Sequence, residues 1–187
     1  MTEQPPFASG GRARRPGAAR RRRRLWRCAA IISLAFALGL TIVNPPLPRL
    51  VWNVSASAPL GLYAVSPDAA IVAGDMVIAR VPARWRDLAA RRRYIPANVP
   101  LVKRVAAGPG DRVCAAGDRI RINGRVVAVQ YRVDGRGRVM PRWRGCVTLS
   151  GGALFLLMDA PDSFDGRYFG PTASGDIIGR ARLLWRA

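Results

Sequence analysis

Three short polar segments in this 187-residue chain carry side-chain types that could break a peptide bond. The first is Asn53-Val-Ser55-Ala-Ser57-Ala-Pro59-Leu-Gly61-Leu-Tyr63, where Ser55 and Ser57 offer hydroxyls that become nucleophiles only if a base takes the proton. Alone, such a stretch reads equally well as a linker or turn. The second is Pro100-Leu-Val-Lys103-Arg-Val-Ala-Ala-Gly-Pro-Gly-Asp111, in which Lys103 interrupts an apolar strand pattern that ends in a Gly-Pro-Gly turn. An unperturbed lysine with pKa ~10.4 is neutral in roughly one molecule in 2,500 at pH 7, but desolvation can lower that value by as much as ~3–5 pH units. Buried in its strand, Lys103 would be a base; pointing outward from an edge strand, it would be a solvated charge. The third segment is Met158-Asp-Ala-Pro-Asp-Ser163-Phe-Asp165-Gly-Arg167-Tyr-Phe-Gly170-Pro. Ser163 could direct the amine of Lys103, and Asp165 with Arg167 could pair and brace the site, whereas Asp159 and Asp162 read as turn formers.

The residue types that are missing narrow the chemistry further. There is no histidine, which excludes Ser-His-Asp triads, Cys-His dyads and histidine metal sites. Cys28, Cys114 and Cys146 are too few and too far apart for structural zinc, so neither a metal nor any other cofactor is expected. A hydrolase built on this chain must take lysine or a carboxylate as its base. Of the 31 cations, 30 are arginine and Lys103 is the only lysine. Arginine stays protonated, so a position that needs a neutral amine cannot accept the exchange that the rest of the chain has undergone. A chance remnant is the competing explanation of that single lysine.

The elements that must position these residues start with an anchor. Residues 1–24 are rich in Arg, Gly, Ala and Pro and read as a disordered cytoplasmic tail. Leu25 to Val43 then forms an apolar run of nearly the ~20 residues that cross a bilayer. Asn44-Pro45-Pro46-Leu47-Pro48 follows it with no small-x-small site between, which favours an uncleaved anchor over a removed signal. Nine arginines between Arg12 and Arg27 place the tail in the cytoplasm and residues 44–187 on the far side of the membrane. A net charge of +20 would ordinarily suggest nucleic acid or an anionic membrane surface as a partner, but outside that block the arginines are scattered as on a solvated surface, which weakens that reading, and no nucleic-acid partner is expected.

Beyond the anchor the pattern is mainly β. Strands are expected at Leu62 to Val65, Asp75 to Val81, Pro100 to Ala106, Ala153 to Met158 and Asp176 to Trp185. A hairpin is expected where Arg119 to Ile122 and Arg125 to Val129 flank Asn123-Gly124. These elements imply a twisted antiparallel assembly or a partly open barrel. One helix is expected, over Ala83 to Arg93. Cys114 and Cys146 lie in the exported part, where an oxidising compartment permits the disulfide expected between them, and Cys28 beside the anchor reads as a small apolar residue.

In this order, after an N-terminal anchor, the three segments resemble the bacterial type I signal peptidases, and most closely the conjugative-transfer peptidases of the TraF type. Ser-x-Ser-x-Pro in that family carries the nucleophile at its second serine, here Ser57. Lys-Arg-Val with a following Pro-Gly-Asp carries the base, here Lys103, and Ser-x-Asp-x-Arg-Tyr-x-Gly is the closing box, here Ser163 to Gly170. Ile178-Gly-Arg-Ala181 is also similar. General signal peptidases have Met where this chain has Ala58, and Gly-Asp-Asn where it has Met158-Asp159-Ala160; Pro-Leu-Gly-Leu-Tyr after the serine is closer to the conjugative branch.

The resemblance implies a largely β peptidase in the bacterial inner membrane, single-pass, with a periplasmic catalytic domain lying against the membrane. Its partners would be the lipid bilayer and a membrane-tethered precursor, a pilin or another signal-peptide-bearing protein. Members of the conjugative branch can also join the ends of their product. Ser55 and the Ser57 N–H would hold the oxyanion, and Asp165 would be either needed for activity or a support for Arg167. Two alternatives stand beside this reading. A self-cleaving Ser-Lys protease of the LexA type is disfavoured by the anchor, and a non-enzymatic basic envelope protein would bind acidic partners or lipid.

Overall fold

The computed structural model describes residues 16–43 and 47–187, with side chains from Arg20 onward. The chain divides into two units, Met1–Pro46 and Leu47–Ala187. In the first, helix α1 spans Pro16–Val43 and so begins well before Leu25. Arginine and alanine are strong helix formers and proline suits the first helical position, so residues 16–24, expected to be disordered, continue the helix. Residues 1–15 of the expected tail, and the junction 44–46, lie outside the described residues. From Arg20 to Val43 the helix is long and apolar enough to cross a membrane.

The second unit is mainly β and antiparallel. Strands β1 (Leu50–Asn53), β2 (Gly61–Ser66), β3 (Met76–Ala79), β4 (Leu101–Ala107), β9 (Phe155–Leu157) and β10 (Ile177–Arg186) form a six-stranded sheet in the order β1-β2-β10-β3-β4-β9. Strands β5 (Arg112–Ala116), β6 (Arg119–Ile122), β7 (Arg125–Val129) and β8 (Gly145–Thr148) form a second sheet, ordered β7-β6-β5-β8. Neither sheet closes on itself, so the antiparallel assembly is open and no closed barrel is present among the described residues. Strands β1, β5 and β8 join those expected. Helix α2 (Ala83–Arg91) stops two residues short of Arg93, which lies at φ 58° beyond the cap at Arg92. A single helical turn, α3 (Gly166–Phe169), completes the unit.

The buried face of the large sheet explains why β4 can hold an amine away from water. Val77, Val105 and Leu156 form one apolar cluster along β3, β4 and β9, and Tyr63, Ile78, Val102 and Ile178 form another. Beyond β4, the Gly-Pro-Gly turn is closed by Asp111, whose carboxylate accepts from the Gly108 N–H at 2.9 Å and from Asn123 Nδ2 at 2.7 Å. Those bonds, the backbone one first, hold its carboxyl below the usual range. Asn123 (φ 50°) and Gly124 (φ 85°) make the β6–β7 turn, a conformation these two residue types tolerate.

Cys114 on β5 and Cys146 on β8 face each other across the ladder and are joined in a disulfide with a sequence separation of 32. Closing a loop of that length removes unfolded-state freedom equivalent to about 3–4 kcal/mol. Cys114→Ser with Cys146→Ser is therefore expected to lower urea-unfolding stability by about 2–4 kcal/mol. Reductant should destabilise the parent protein to the same extent and leave the double variant unchanged.

Candidate active site

Lys103 sits in the middle of β4, with β3 on one side and β9 on the other, and its Cα partner on β3 is Val77. That placement satisfies its backbone and leaves the side chain 3% exposed. Its Nζ lies 3.0 Å from Ser57 Oγ and 2.7 Å from Ser163 Oγ. Burial pushes the amine down from 10.5 to about 8; the Asp165 charge opposes that, the Arg167 charge assists it, and Asp162 opposes it more weakly. At pH 7 a group of that pKa is neutral in roughly one molecule in eleven, against one in thousands for a free lysine.

Ser57 lies in the loop between β1 and β2. The Ala58 N–H donates to the Ser55 carbonyl at 3.3 Å, closing a tight turn with Ser57 in its third position. Ser55 Oγ is 3.0 Å from Ser57 Oγ, so the two hydroxyls and the amine converge. Ser57 is part-buried and Ser55 exposed. Two residues that sequence reasoning passed over shape this loop. Asn53 is 6% exposed and binds the backbone of Ser55, Ala58 and Pro59 through its carboxamide, and the Tyr63 hydroxyl donates to the Pro59 carbonyl at 2.9 Å. The two-residue spacing from Asn53 to the Ser55 N–H, which donates to Asn53 Oδ1 at 3.0 Å, is a local turn pattern that could have drawn attention to it.

The closing segment follows β9 and folds back over it. Arg167 Nε and Nη2 donate to Asp165 Oδ1 and Oδ2 at 2.8 and 3.1 Å, with the two residues 3% and 0% exposed. The Asp165 carboxylate also caps α3 by accepting from the Arg167 N–H, and it accepts from the Met158 N–H. Arg167 donates onward to the carbonyls of Met158 at 2.6 Å and Pro161 at 2.8 Å. The carboxylate accepts four hydrogen bonds and the guanidinium donates four, so the buried pair is well supplied with the partners that let charges be tolerated out of water. Between them, Gly166 runs so close to β9 that an added Cβ would stand 2.6 Å from the Leu156 carbonyl oxygen. The brace carries Ser163, 4% exposed, to the amine of Lys103.

Ser55, Ser57, Lys103 and Ser163 all border a cleft of about 390 Å³, otherwise walled largely by apolar side chains including Val51, Ile95, Val99 and Phe164. Asp165 and Arg167 stand behind it rather than in it. Asp162 lines the cleft, while Asp159 turns outward to an exposed ion pair with Arg104. Cys114 and Cys146 lie in the other sheet and take no part. Chemically, the arrangement offers a hydroxyl, a partly neutral amine beside it, a second hydroxyl that directs the amine, and a largely apolar cleft alongside.

Residues 22–186 match the family described as signal peptidase, peptidase S26. A conjugal transfer protein TraF of Agrobacterium fabrum is 36% identical over 170 residues, spanning 83% of this chain and 96% of that protein. A plasmid transfer protein TraF of Escherichia coli is 35% identical over 146 residues, spanning 71% of this chain and 82% of the relative. The crystal structure of a signal peptidase I from Enterococcus faecalis is 21% identical, covers 60% of this chain and 97% of that one, and superposes with a TM-score of 0.35. By the extent of the family match and the identity of these relatives, the chain belongs to the signal peptidase family, peptidase S26.

Proposed function

We propose that this chain is a membrane-anchored serine endopeptidase in which Ser57 is the nucleophile and Lys103 its general base. The observation that carries this reading is the placement of the chain's only lysine, 3% exposed, with its amine 3.0 Å from a serine hydroxyl at the wall of a cleft. Neutral Lys103 Nζ takes the proton of Ser57 Oγ as that oxygen attacks a peptide carbonyl. The oxyanion then meets the Ser57 N–H, which has no hydrogen-bond partner among the described residues, and the Ser55 hydroxyl. The protonated amine returns its proton to the leaving nitrogen, the C–N bond breaks, and an acyl-enzyme remains. Water, activated by the same amine, releases the acyl group. Ser163, whose hydroxyl lies 2.7 Å from Nζ, holds the amine in place beside Ser57.

The substrate is a membrane-tethered precursor handled during conjugative transfer, a pilin or another signal-peptide-bearing protein. The likeness to conjugal and plasmid transfer proteins and the apolar cleft support this reading. Helix α1 is the anchor, with its arginines in the cytoplasm and the β unit in the periplasm.

Full-length protein in detergent should be acylated at Ser57 by a penem. Because only the neutral amine is competent, the rate should rise tenfold per pH unit and level off above about 8. A rate independent of pH between 6 and 9, or label on another residue, would count against Lys103 as the base.

A further inference from the structure

The loop that carries Ser57 spans from Asn53 to Gly61, the last paired residues of β1 and β2. Asn53 therefore belongs to a strand, yet its side chain folds into the loop. Its Nδ2 donates to the carbonyls of Ser55 at 3.0 Å, Ala58 at 3.2 Å and Pro59 at 3.0 Å, while its Oδ1 accepts from the Ser55 N–H at 3.0 Å. The carboxamide thus grips the limb that enters the turn and the limb that leaves it. Three carbonyls and one N–H demand a group with both an amino and an oxo end, so the network itself fixes which way the amide points. An aspartate would set its lone pairs against three carbonyl oxygens, and an alanine would leave the Ala58 carbonyl and the Ser55 N–H without a protein partner and the Ser55 and Pro59 carbonyls with one bond each.

We propose that Asn53 is a positioning residue, holding the turn so that Ser57 Oγ faces Lys103 and the Ser57 N–H faces the cleft. Ser57 itself contributes no side-chain contact to the turn beyond Ser55 and Lys103. Its position is therefore inherited from the backbone on either side, which Asn53 grips. The tether on the far limb is weaker, a single bond from the Tyr63 hydroxyl to Pro59. A shift of the nucleophile by about 1 Å is enough to cost roughly 10²-fold in rate. The catalytic part of this inference rests on the Ser-Lys reading; the structural part does not.

The test uses the full-length protein in detergent, comparing wild type with Asn53→Ala and Asn53→Asp. Penem acylation of Ser57 is followed across penem concentrations, and amide hydrogen exchange is followed over residues 54–60. Asn53→Ala should lower the maximal acylation rate per folded molecule about 10²-fold. The half-saturating penem concentration should stay within about twofold and the pH midpoint should stay in place, because a shifted nucleophile affects reaction more than docking or the amine's surroundings. Exchange over 54–60 should quicken by at least about tenfold, the scale expected for loss of ~1.4 kcal/mol of local protection. Asn53→Asp keeps the size and the acceptor but loses the donors, and should be at least as slow; it carries the test if the alanine variant does not accumulate. Wild-type acylation by Asn53→Asp, or loss in Asn53→Ala that only tracks its folded fraction, overturns the inference. If wild type is never acylated at Ser57, the Ser-Lys reading fails, while unchanged exchange over 54–60 overturns the role of Asn53 alone.

Discussion

Replacing Lys103 by arginine or methionine should reduce cleavage of a precursor peptide by about 10³–10⁴-fold while the fold persists. Arginine keeps the charge but cannot give up its proton, and its five-donor fork needs more acceptors than the two hydroxyls beside Lys103 provide. Methionine keeps the unbranched shape and removes the base. The two variants should part company in stability. Folding depresses the amine from 10.5 to about 8, so the native state resists the proton that the unfolded chain still binds. That penalty is full below pH 8, shrinks as pH rises towards 10.5, and at neutral pH is worth about 3 kcal/mol. Lys103→Met removes it and should be more stable than wild type at pH 7, with the advantage fading at pH 10. Lys103→Arg should be less stable at both. Denaturant unfolding at the two pH values, beside peptide cleavage, separates these outcomes. A methionine variant that is both inactive and destabilised would mean that the amine supports the fold rather than taxing it.

Lys103 was legible because an arginine-rich composition isolates the one position where a cation stayed lysine, and because its flanks form an apolar strand. The hairpin at Asn123-Gly124 was legible for a similar reason, since the turn demands residues that accept positive φ. What stayed hidden has a common physical cause. Strands β1 and β8 are four residues long, β1 half exposed and β8 exposed throughout, so no alternation of apolar and polar residues marks them, and β8 pairs with β5, a partner distant in sequence. The reach of Asn53 to the far limb of the loop was hidden because its partners there are backbone groups, which every residue possesses. The charge and low apolar content of residues 16–24 suggest disorder, while the helix propensity of their arginines extends α1. Gly166 offered no signal beyond a turn; its need for the absent Cβ depends on Leu156, which only the folded β9 brings near.

Asp165 separates support from chemistry, because its two obvious substitutions should fail in different ways. Asp165→Ala leaves the Arg167 guanidinium 3% exposed without its counter-charge and strips α3 and the Met158 N–H of their acceptor. Breaking one half of such a pair should cost about 3–5 kcal/mol, measured by denaturant unfolding. Asp165→Ala with Arg167→Met should recover much of that loss, because no buried charge is left alone. Asp165→Asn retains the shape and part of the bonding, and so permits an activity measurement. The Asp165 charge holds the Lys103 amine higher than burial alone would. Without it the amine should lose its proton more readily, and the acid limb of the rate profile should move below about 8 rather than above it. The plateau rate should also fall, because Ser163 is carried by the same brace and would hold Nζ less firmly. A lower plateau with a midpoint displaced to acid pH marks Asp165 as acting through Lys103 and the brace. A midpoint unchanged from wild type would instead mean that its charge does not reach the amine, leaving it a purely structural cap for α3.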